Sequence, residues 1–501
     1  MLLLLLFLLF LSFSCIFLLH KKHKNYDSFH PPPGPKGLPF IGNIHQFDSF
    51  QPHIYLSKLS KIYGPILTLK FGRKPIIVIQ SAQTAEQVLK TQDLNFCSRP
   101  KLIASQRIAY NGLDIAFVPY NEYYKEVRKI CVVHLLNSNR VQSYAPIRQD
   151  EVSRLVESIS TLSSCSEIVN LSELAMNYAN SNICRVAFGK RFDNIEASKR
   201  RKFYGLLHEI QALFIGFFFT DYFPWISWLD KLTGQKSRLE RAFDELNKFN
   251  DELINDHLDP NRPKSDQEDI IEVLLHLRKD RSFGFDLTLN HIKALLMDIV
   301  VAGTDTSAAM IVWAMTELLK NPEIMTKVQE EIRKTIHDKD YNRVTMDDLP
   351  NLTYFKAVVK ETFRFHPAAP LLIVRETVRQ CVVNGYDILP KTLVYINVWA
   401  IGRDPECWND PEKFIPERFL GSSVDYKGQD FGLIPFGAGR RMCPGLVLGV
   451  ANFELALANI LYSFDWDLPK GVDKDDLDDV VLPGIAMHKK NHLCLVAKHH
   501  A

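Results

Sequence analysis

One cysteine near the carboxyl end of the chain lies in a setting that suits nucleophilic or metal chemistry. Cys443 follows the loop Phe436–Arg441, which contains two glycines and two arginines, and it precedes Pro444. The glycines permit a tight loop, and a proline is tolerated in the first turn of a helix. Free N–H groups at a helix start, together with the two arginines, predict a stabilised thiolate. The alternative is a buried, inert cysteine, the usual state of a single cysteine.

A second group of reactive side chains interrupts an apolar pattern in the segment Ala302–Ser307. Asp305 and Thr306 supply an acid and an alcohol side by side, after the small residues Ala302 and Gly303. In a helix the threonine hydroxyl can donate to a carbonyl one turn earlier and bend the backbone. The segment therefore suits a ligand and a proton relay, although the segment taken alone favours a polar interruption in a core helix.

Long helices and short strands are needed to hold these two groups. Apolar residues at helical spacing predict one helix from about Leu289 to Leu319, roughly 46 Å long, with the acid–alcohol pair at its middle. A second long helix is predicted from about Pro444 to Tyr462. Strands are predicted at Ile66–Phe71 and Pro75–Gln80.

The rest of the pattern is mostly helical. Helical periodicity runs from Glu122 to about residue 370, broken by a polar loop at Asp259–Asp269, and strand-like runs return at Thr377–Val398. The sequence thus predicts a mainly α fold with small β-sheets in one body.

Composition excludes several classes of protein. The 501 residues carry 60 basic and 58 acidic side chains, a near-balance that argues against nucleic-acid binding. The nine cysteines are odd in number and form no C-x-x-C pair, so a disulfide framework or zinc cluster is not expected. We expect the body of the chain to lie in a reducing compartment.

The amino-terminal residues predict a membrane anchor. Leu2–Leu19 is almost wholly apolar and is followed, not preceded, by the basic cluster His20–Lys24. The positive-inside rule then leaves the rest of the chain on the cytosolic side, as a single-pass protein of the endoplasmic reticulum. A cleaved signal peptide is the alternative, but its basic residues normally come first. We predict an anchor at residues 1–20, a basic and proline-rich hinge at 21–39 and a catalytic domain at 40–501.

One further segment is rich in aromatic residues. Leu213–Trp228 is too short to cross a bilayer and is interrupted by Asp221 and Pro224. It is either core or a surface that dips into the membrane beside a route for lipophilic substrates.

The cysteine loop resembles a known signature. It fits the haem-binding pattern F-x-x-G-x-R-x-C-x-G of cytochrome P450 monooxygenases at every fixed position, namely Phe436, Gly439, Arg441, Cys443 and Gly445. The resemblance implies the helical prism of that family, with Cys443 as the axial thiolate ligand of the iron in haem b. It also implies that Arg441 holds a haem propionate and that Phe436 shields the sulfur.

Other motifs of the same family occur in the expected order. Ala302–Ser307 resembles [AG]-G-x-[DE]-T-[TS], which implies that Thr306 hydrogen-bonds the oxygen being activated and that Asp305 supplies protons. Ala302 and Gly303 are then expected to leave room for oxygen and substrate. Glu361 and Arg364 resemble the family's E-x-x-R pair, which joins the arginine of Pro416–Phe419 in a structural charge network.

Two more arginines match the family's propionate ligands. Arg375 matches a strand arginine, although plant members commonly carry proline where Val374 stands. Arg128 matches the arginine of a W-x-x-x-R helix in which Tyr124 replaces the tryptophan. Tyr124 keeps a hydrogen-bond donor, but its geometry differs from that of an indole N–H.

The resemblance implies a plant microsomal P450 of specialised metabolism. The expected reaction inserts one atom of O₂ into a lipophilic terpenoid, phenolic or coumarin, alkaloid or aldoxime, with electrons passed from NADPH by cytochrome P450 reductase. Cytochrome b5 is a further candidate partner, and Lys125, Arg128, Lys129 and Arg440 are candidates for the docking face. The expected substrate-lining segments, which are mostly apolar, are 101–117, the phenylalanines near 217, 297–306, 368–374 and 483–487.

Two other functions remain open from the sequence. One is a haem-thiolate isomerase or dehydratase that needs no external electrons, and the other is a non-catalytic haem-binding membrane protein. The intact Asp305–Thr306 pair counts against both.

Overall fold

The computed structural model describes residues 29–191, 197–262, 267–280, 283–337, 339 and 342–500. The predicted anchor and the first part of the hinge, residues 1–28, lie outside the described residues. The α-helices span Pro52–Tyr63, Ala82–Glu86, Asp93–Phe96, Ile103–Ile108, Glu122–Lys129, Ser138–Ser143, Ala145–Ser164, Leu171–Phe188, Ala197–Phe214, Phe219–Tyr222, Leu229–Leu232, Gln235–Leu258, Ile270–Asp280, Leu289–Lys320, Pro322–His337, Thr353–Phe365, Val398–Ile401 and Leu446–Ser463.

The strands are short and form small sheets. They are β1 (Ile66–Phe71), β2 (Lys74–Ile79), β3 (Val169–Asn170), β4 (Arg375–Glu376), β5 (Cys381–Val383), β6 (Tyr386–Ile388), β7 (Leu393–Ile396), β8 (Phe464–Asp467) and β9 (Cys494–His499). The largest sheet has the order β1-β2-β7-β4, with β1 antiparallel and β7 parallel to β2. A three-stranded sheet has the order β3-β9-β8, and β5 pairs with β6. The predicted mainly α fold with small sheets is therefore confirmed.

The helix Leu289–Lys320, called the central helix below, lies at the centre of the fold. It packs most extensively against the helix Leu171–Phe188 and also contacts the helix Leu446–Ser463. Most of its side chains are buried, and Trp313 is completely buried. Because apolar residues cover nearly its whole circumference, it runs through the core and does not lie on the surface. Its bounds agree with the predicted helix.

Three segments of the described chain are long and apolar enough to cross a membrane by length and composition alone. Two of them, the central helix and Leu446–Ser463, have 72% of their most apolar window buried, so they form core. The third, Lys202–Tyr222, is only 33% buried and overlaps the aromatic segment identified in the sequence.

Candidate active site

The cysteine loop is held by backbone geometry that only glycine accepts at one position. Gly439 has φ +69°, and a Cβ there would lie 2.2 Å from the carbonyl oxygen of Leu89. The Cys443 N–H donates to the Phe436 carbonyl at 2.9 Å, which closes the loop. The following helix begins at Leu446, slightly later than the sequence predicts.

Cys443 is exposed as a residue, yet its thiol has a buried environment. Burial raises the pKa of the thiol, while a hydrogen bond from the Gly445 N–H and the charge of Arg128 act in the opposite direction. Two of the predicted stabilising features are therefore present, a backbone N–H near the helix start and a nearby arginine charge, and burial opposes them. A metal ion bound to this sulfur would supply the positive charge that stabilises the thiolate, since a coordinating thiol is deprotonated outright.

The acid–alcohol segment has the predicted back-bond. The Thr306 hydroxyl donates to the Ala302 carbonyl at 2.6 Å, one turn earlier in the central helix. Ala302 is exposed and Thr306 is half-buried, although Val301 and Thr304 beside them are buried. These two residues therefore mark an accessible side of a helix that is otherwise core.

Gly303 lies between Ala302 and Thr306 and is closely packed on its neighbouring helix. A Cβ on Gly303 would lie 2.7 Å from Cδ1 of Ile183, on the neighbouring helix. Gly303 is half-buried, as Thr306 is, and its missing side chain also has a packing role. Its missing side chain makes room for the helix Leu171–Phe188.

Asp305 points toward a different set of neighbours from Thr306. Its side chain is almost fully buried, and Oδ2 accepts a hydrogen bond from Nε2 of Gln211 at 2.6 Å. Its other oxygen, Oδ1, lies 3.8 Å from Nε2 of His488. Adjacent residues on a helix do not share a face, which explains the separation of Asp305 from Thr306.

Arg441 is buried among backbone carbonyls and an aromatic ring. Its guanidinium donates to the carbonyls of Cys97, Ile115 and Val118 at 2.7, 3.3 and 2.5 Å. The same guanidinium lies 3.7 Å from the ring centroid of Tyr124. Burial lowers the pKa of Arg441 to about 10.

The Tyr124 hydroxyl has a specific backbone partner. It donates to the Arg440 carbonyl at 2.5 Å and accepts from Nη1 of Arg128 at 3.4 Å. The hydroxyl therefore ties the helix Glu122–Lys129 to the cysteine loop. Its single proton is used there, which is the physical difference from a tryptophan at this position.

Arg375 and Arg440 meet at one buried carboxylate, that of Asp93. Arg375 donates to Oδ1 of Asp93 at 3.3 Å and to the Ala438 carbonyl at 3.0 Å. The backbone N–H and the guanidinium of Arg440 both donate to Oδ2 of Asp93 at 3.0 Å. Asp93 thereby fixes the cysteine loop, a role that no motif in the sequence indicated.

Arg99 is a second residue that the sequence motifs did not indicate. Its Nε donates to the Ala116 carbonyl at 2.9 Å, and its Nη1 donates to the carbonyls of Ile373 and Val374 at 2.5 and 2.9 Å. It thus joins two of the expected substrate-lining segments. A single charge in the otherwise uncharged stretch 94–100 was the available signal.

Around the cysteine loop, buried arginine side chains carry more charge than the buried acidic side chains do. Arg99, Arg375 and Arg441 are each exposed by no more than 8%, and burial lowers the pKa of each, with repulsion from neighbouring arginines adding to this at Arg99 and Arg441. The nearby acids are Asp93, Asp114 and Asp298, and burial raises the pKa of Asp114 to about 7 and raises that of Asp298 as well. Several guanidinium N–H donors remain for a ligand, since each arginine has five. This donor set fits an anionic group such as the two carboxylates of haem, with the Cys443 sulfur as metal ligand.

The predicted charge network is present. Arg364 donates to both carboxylate oxygens of Glu361 at 2.7 Å, and Arg418 donates to Oε1 at 3.2 Å. Glu361 and Arg364 are completely buried. On the same helix, Phe363 packs edge-to-face on Phe436 with ring centroids 5.3 Å apart, which connects the network to the cysteine loop.

Comparison with known proteins decides the family. The family model described as "Cytochrome P450" matches residues 32–496. The chain belongs to the cytochrome P450 family. It is 47% identical to 6,7,8-trihydroxycoumarin synthase of Pastinaca sativa, and the match covers 93% of each chain. It is also 47% identical to cytochrome P450 71A1 of Persea americana, over 92% of this chain and 91% of that one.

A solved structure agrees on the fold. A zebra fish cytochrome P450 described with abiraterone is 23% identical, with a TM-score of 0.74 over 90% of this chain and 99% of that chain. The protein is therefore a haem-thiolate monooxygenase with haem b as its cofactor. It takes a lipophilic substrate and receives electrons from a redox partner, as P450 enzymes of this kind do.

Proposed function

We propose that this P450 hydroxylates a flat aromatic metabolite of the phenolic or coumarin class. The relatives named above include a trihydroxycoumarin synthase, and a 5-OH-xanthotoxin synthase of Pastinaca sativa is likewise 47% identical over 93% of each chain. Within this chain, Phe117 and Phe214 come from two of the expected substrate-lining segments, and their ring centroids lie 4.6 Å apart. The two rings pack on each other, so only their outer faces and edges can contact a planar ring, and the pair supports the substrate class that the names of these relatives suggest.

The haem is held by one sulfur and by several cations. Cys443 is the metal ligand, and the Gly445 N–H donates to its sulfur. Arg128, Arg375 and Arg441 bind the propionates, with Arg99 as a fourth member of the set. Tyr124 orients Arg441 through its ring, and Gly439 and Phe436 shape the loop around the sulfur. When bound, haem supplies the iron on which O₂ is reduced and from which one oxygen atom is transferred.

The protein's own residues control protons and water at this centre. Because the Thr306 hydroxyl donates to the Ala302 carbonyl, its oxygen lone pairs face away from the helix and accept hydrogen bonds. Asp305 presents a carboxylate on the adjacent face, and Ala302 keeps the accessible side of the helix small. The intact acid–alcohol pair favours a monooxygenase over an isomerase or dehydratase.

The chain meets the endoplasmic reticulum membrane by an exposed apolar face formed by two described segments. Gly72 N–H donates to the Ile41 carbonyl and Arg73 N–H to the Tyr222 carbonyl, so the amino-terminal segment and the aromatic segment adjoin one turn. Both segments expose large apolar side chains, at Leu38, Phe40, Ile41, Phe217, Trp225, Trp228 and Leu232. Such a patch suits immersion in the lipid interface.

The redox partner is NADPH–cytochrome P450 reductase, docking on the face that carries the helix Glu122–Lys129. Lys125 and Lys129 are exposed there, Arg128 is half-buried, and about half of the Arg440 side chain is exposed although Asp93 pairs with it. Four cations near the cysteine loop suit an acidic partner.

The proposal is tested with microsomes that contain the full chain and a reductase. Coumarin, xanthotoxin, a terpenoid and an aldoxime are each incubated with ¹⁸O₂, with and without NADPH, and the products are analysed by mass spectrometry. We expect an NADPH-dependent product with one labelled oxygen from a coumarin-type substrate. Cys443→Ser is the matched inactive variant, and it should lack the red-shifted Soret band of the reduced CO complex. Label only in the terpenoid or aldoxime would contradict the substrate class, and unlabelled rearrangement without NADPH would contradict the reaction.

A further inference from the structure

A histidine outside the family motifs faces the buried carboxylate of Asp305. His488 Nε2 lies 3.8 Å from Oδ1 of Asp305 and is buried without a hydrogen-bond partner in the described structure. About a fifth of the His488 side chain is nevertheless exposed. The ring therefore reaches from accessible surface to the carboxylate.

Two hydrogen bonds of the preceding residue, Met487, fix the backbone beside His488. The Met487 N–H donates to the Ala368 carbonyl at 2.8 Å, and the Trp313 indole donates to the Met487 carbonyl at 2.6 Å. Trp313 belongs to the central helix, as Asp305 does, so the two partners of the proposed contact share one rigid support. A fixed imidazole at this distance needs only a small movement, or one water, to reach the carboxylate.

Gln211 holds the other oxygen of the same carboxylate. Its Nε2 donates to Oδ2 of Asp305 at 2.6 Å, while its Oε1 is buried without a partner in the described part of the chain. This hydrogen bond leaves Oδ1 for His488. Three residues before Gln211 on the same helix, and so on the same side of it, lies the exposed His208. Its charge is close enough to lower the pKa of His488.

We propose that His488 passes protons from the His208 side of the protein to Asp305, and that Gln211 holds the carboxylate ready to receive them. This inference rests on the proposed proton role of Asp305. Insertion of one atom of O₂ consumes two electrons and two protons and releases the other atom as water. For each proton, the neutral imidazole of His488 takes H⁺ at its outer edge and Nε2 releases H⁺ to Oδ1 of Asp305. The imidazole is left neutral with its remaining proton on the outer nitrogen, and tautomer exchange through water returns that proton to Nε2 before the next transfer. The carboxyl group passes the transferred proton toward Thr306.

The charges around His488 are consistent with proton transfer from His488 to Asp305. Burial lowers the pKa of His488, and the Asp305 carboxylate on the central helix raises it again, while His208 opposes protonation. His488 is therefore mostly neutral at neutral pH and gains a proton only transiently, as a shuttle must. It acts through Asp305, so it is a positioning and proton-passing residue.

The first test measures the contact without turnover. In the holoenzyme labelled with ¹⁵N-histidine, NMR titration follows the imidazole signal that His488→Gln removes. Asp305→Asn should lower the pKa of His488, because it removes the carboxylate that raises it. An unchanged pKa would overturn the inference whatever the enzyme's activity.

The second test measures coupling in the reconstituted enzyme, with His488→Phe, His488→Gln and the exposed control His45→Gln. We expect product formed per NADPH to fall by about tenfold in both His488 variants, less than the roughly 10²-fold or more that a direct proton donor contributes. The wild-type ratio should fall as pH rises from 6 to 8, and the ratio in the variants should be flat. His488→Gln decides the question if His488→Phe loses the CO band. If a His488 variant keeps the CO band and couples as well as the wild type, the inference about His488 is overturned while the proposed function stands. If the wild type itself forms no product, the proposed function is overturned.

Discussion

The Cβ that Gly303 lacks would lie 2.7 Å from Cδ1 of Ile183, so these two residues set how closely the central helix approaches the helix Leu171–Phe188. Gly303→Ala should lower the free energy of unfolding by about 1–3 kcal/mol through overpacking. Circular dichroism melting of the holoenzyme measures the change. Adding Ile183→Ala should restore part of the stability, because it removes the clashing methyl groups.

A second glycine in a helix provides the control for this prediction. A Cβ added to Gly205, in the helix Ala197–Phe214, would meet no described atom within 4 Å. Gly205→Ala should therefore stabilise the protein by about 0.5–1 kcal/mol through helix propensity alone. Equal effects of the two glycine substitutions would contradict the packing role of Gly303.

The Thr306 hydroxyl should matter for coupling and not for stability. Thr306→Val keeps the shape and removes the hydroxyl, so we expect it to retain haem while product per NADPH falls by about 10²-fold, the lower end for general acid–base catalysis. Hydrogen peroxide should account for the lost electrons. Thr316 makes the same kind of back-bond, to Val312 at 2.8 Å, but is completely buried. Thr316→Val should leave coupling unchanged, and a loss of coupling there would argue for a general effect of the helix.

Arg99 should be required for haem retention. Arg99→Met removes a buried cation and also three hydrogen bonds, to the carbonyls of Ala116, Ile373 and Val374. Since losing bonds to a charged group costs about 1.5–3 kcal/mol each, we expect a clearly lower haem content and faster haem transfer to an acceptor protein. Lys101→Met, two residues away and exposed, is the control. Full haem occupancy in Arg99→Met would remove Arg99 from the propionate set.

Glu361 and Arg364 should contribute to stability as a unit. Glu361→Gln leaves the completely buried Arg364 without its carboxylate, and breaking such a pair costs about 3–5 kcal/mol. The exposed pair of Lys90 with Glu86 is the control, because Glu86→Gln should cost less than about 1 kcal/mol. Thermal melting compares the two variants. A small loss in Glu361→Gln would show that the network is not structural.

The motifs were predictable because short-range sequence specifies them. The loop around Cys443, the Thr306 back-bond and the Glu361–Arg364 pair depend on residues within a few positions of one another. Arg99, Asp93, Gln211 and His488 were not predictable, because their partners lie far away in the chain and only the fold brings them together. The effect of burial on the pKa of the Cys443 thiol was not predictable for a different reason. A sequence does not show how deeply a helix start is buried.

Asp114 should give the folded protein a distinct pH dependence. Its Oδ2 accepts from the Phe117 N–H at 2.6 Å, and its Oδ1 is buried without a partner in the described structure. Burial raises the pKa of Asp114 from its ordinary value of 3.8 to about 7. The neighbouring Asp298 carboxyl accepts from the Ile115 N–H at 2.8 Å, and burial together with the charge of Asp114 raises its pKa as well.

The raised pKa of Asp114 determines whether the stability of the folded protein rises or falls with pH. Between pH 4 and pH 7 the unfolded chain ionises Asp114 while the folded protein keeps it protonated, so the unfolded state binds fewer protons and stability falls as pH rises. Asp114→Asn removes this penalty. Relative to wild type, the variant should gain about 1 kcal/mol per pH unit between pH 5 and pH 7, and no more above that range. Urea unfolding of both proteins at each pH measures the difference, with the exposed Asp475→Asn as control. Parallel curves for wild type and Asp114→Asn would show that Asp114 is already ionised in the folded protein at pH 5.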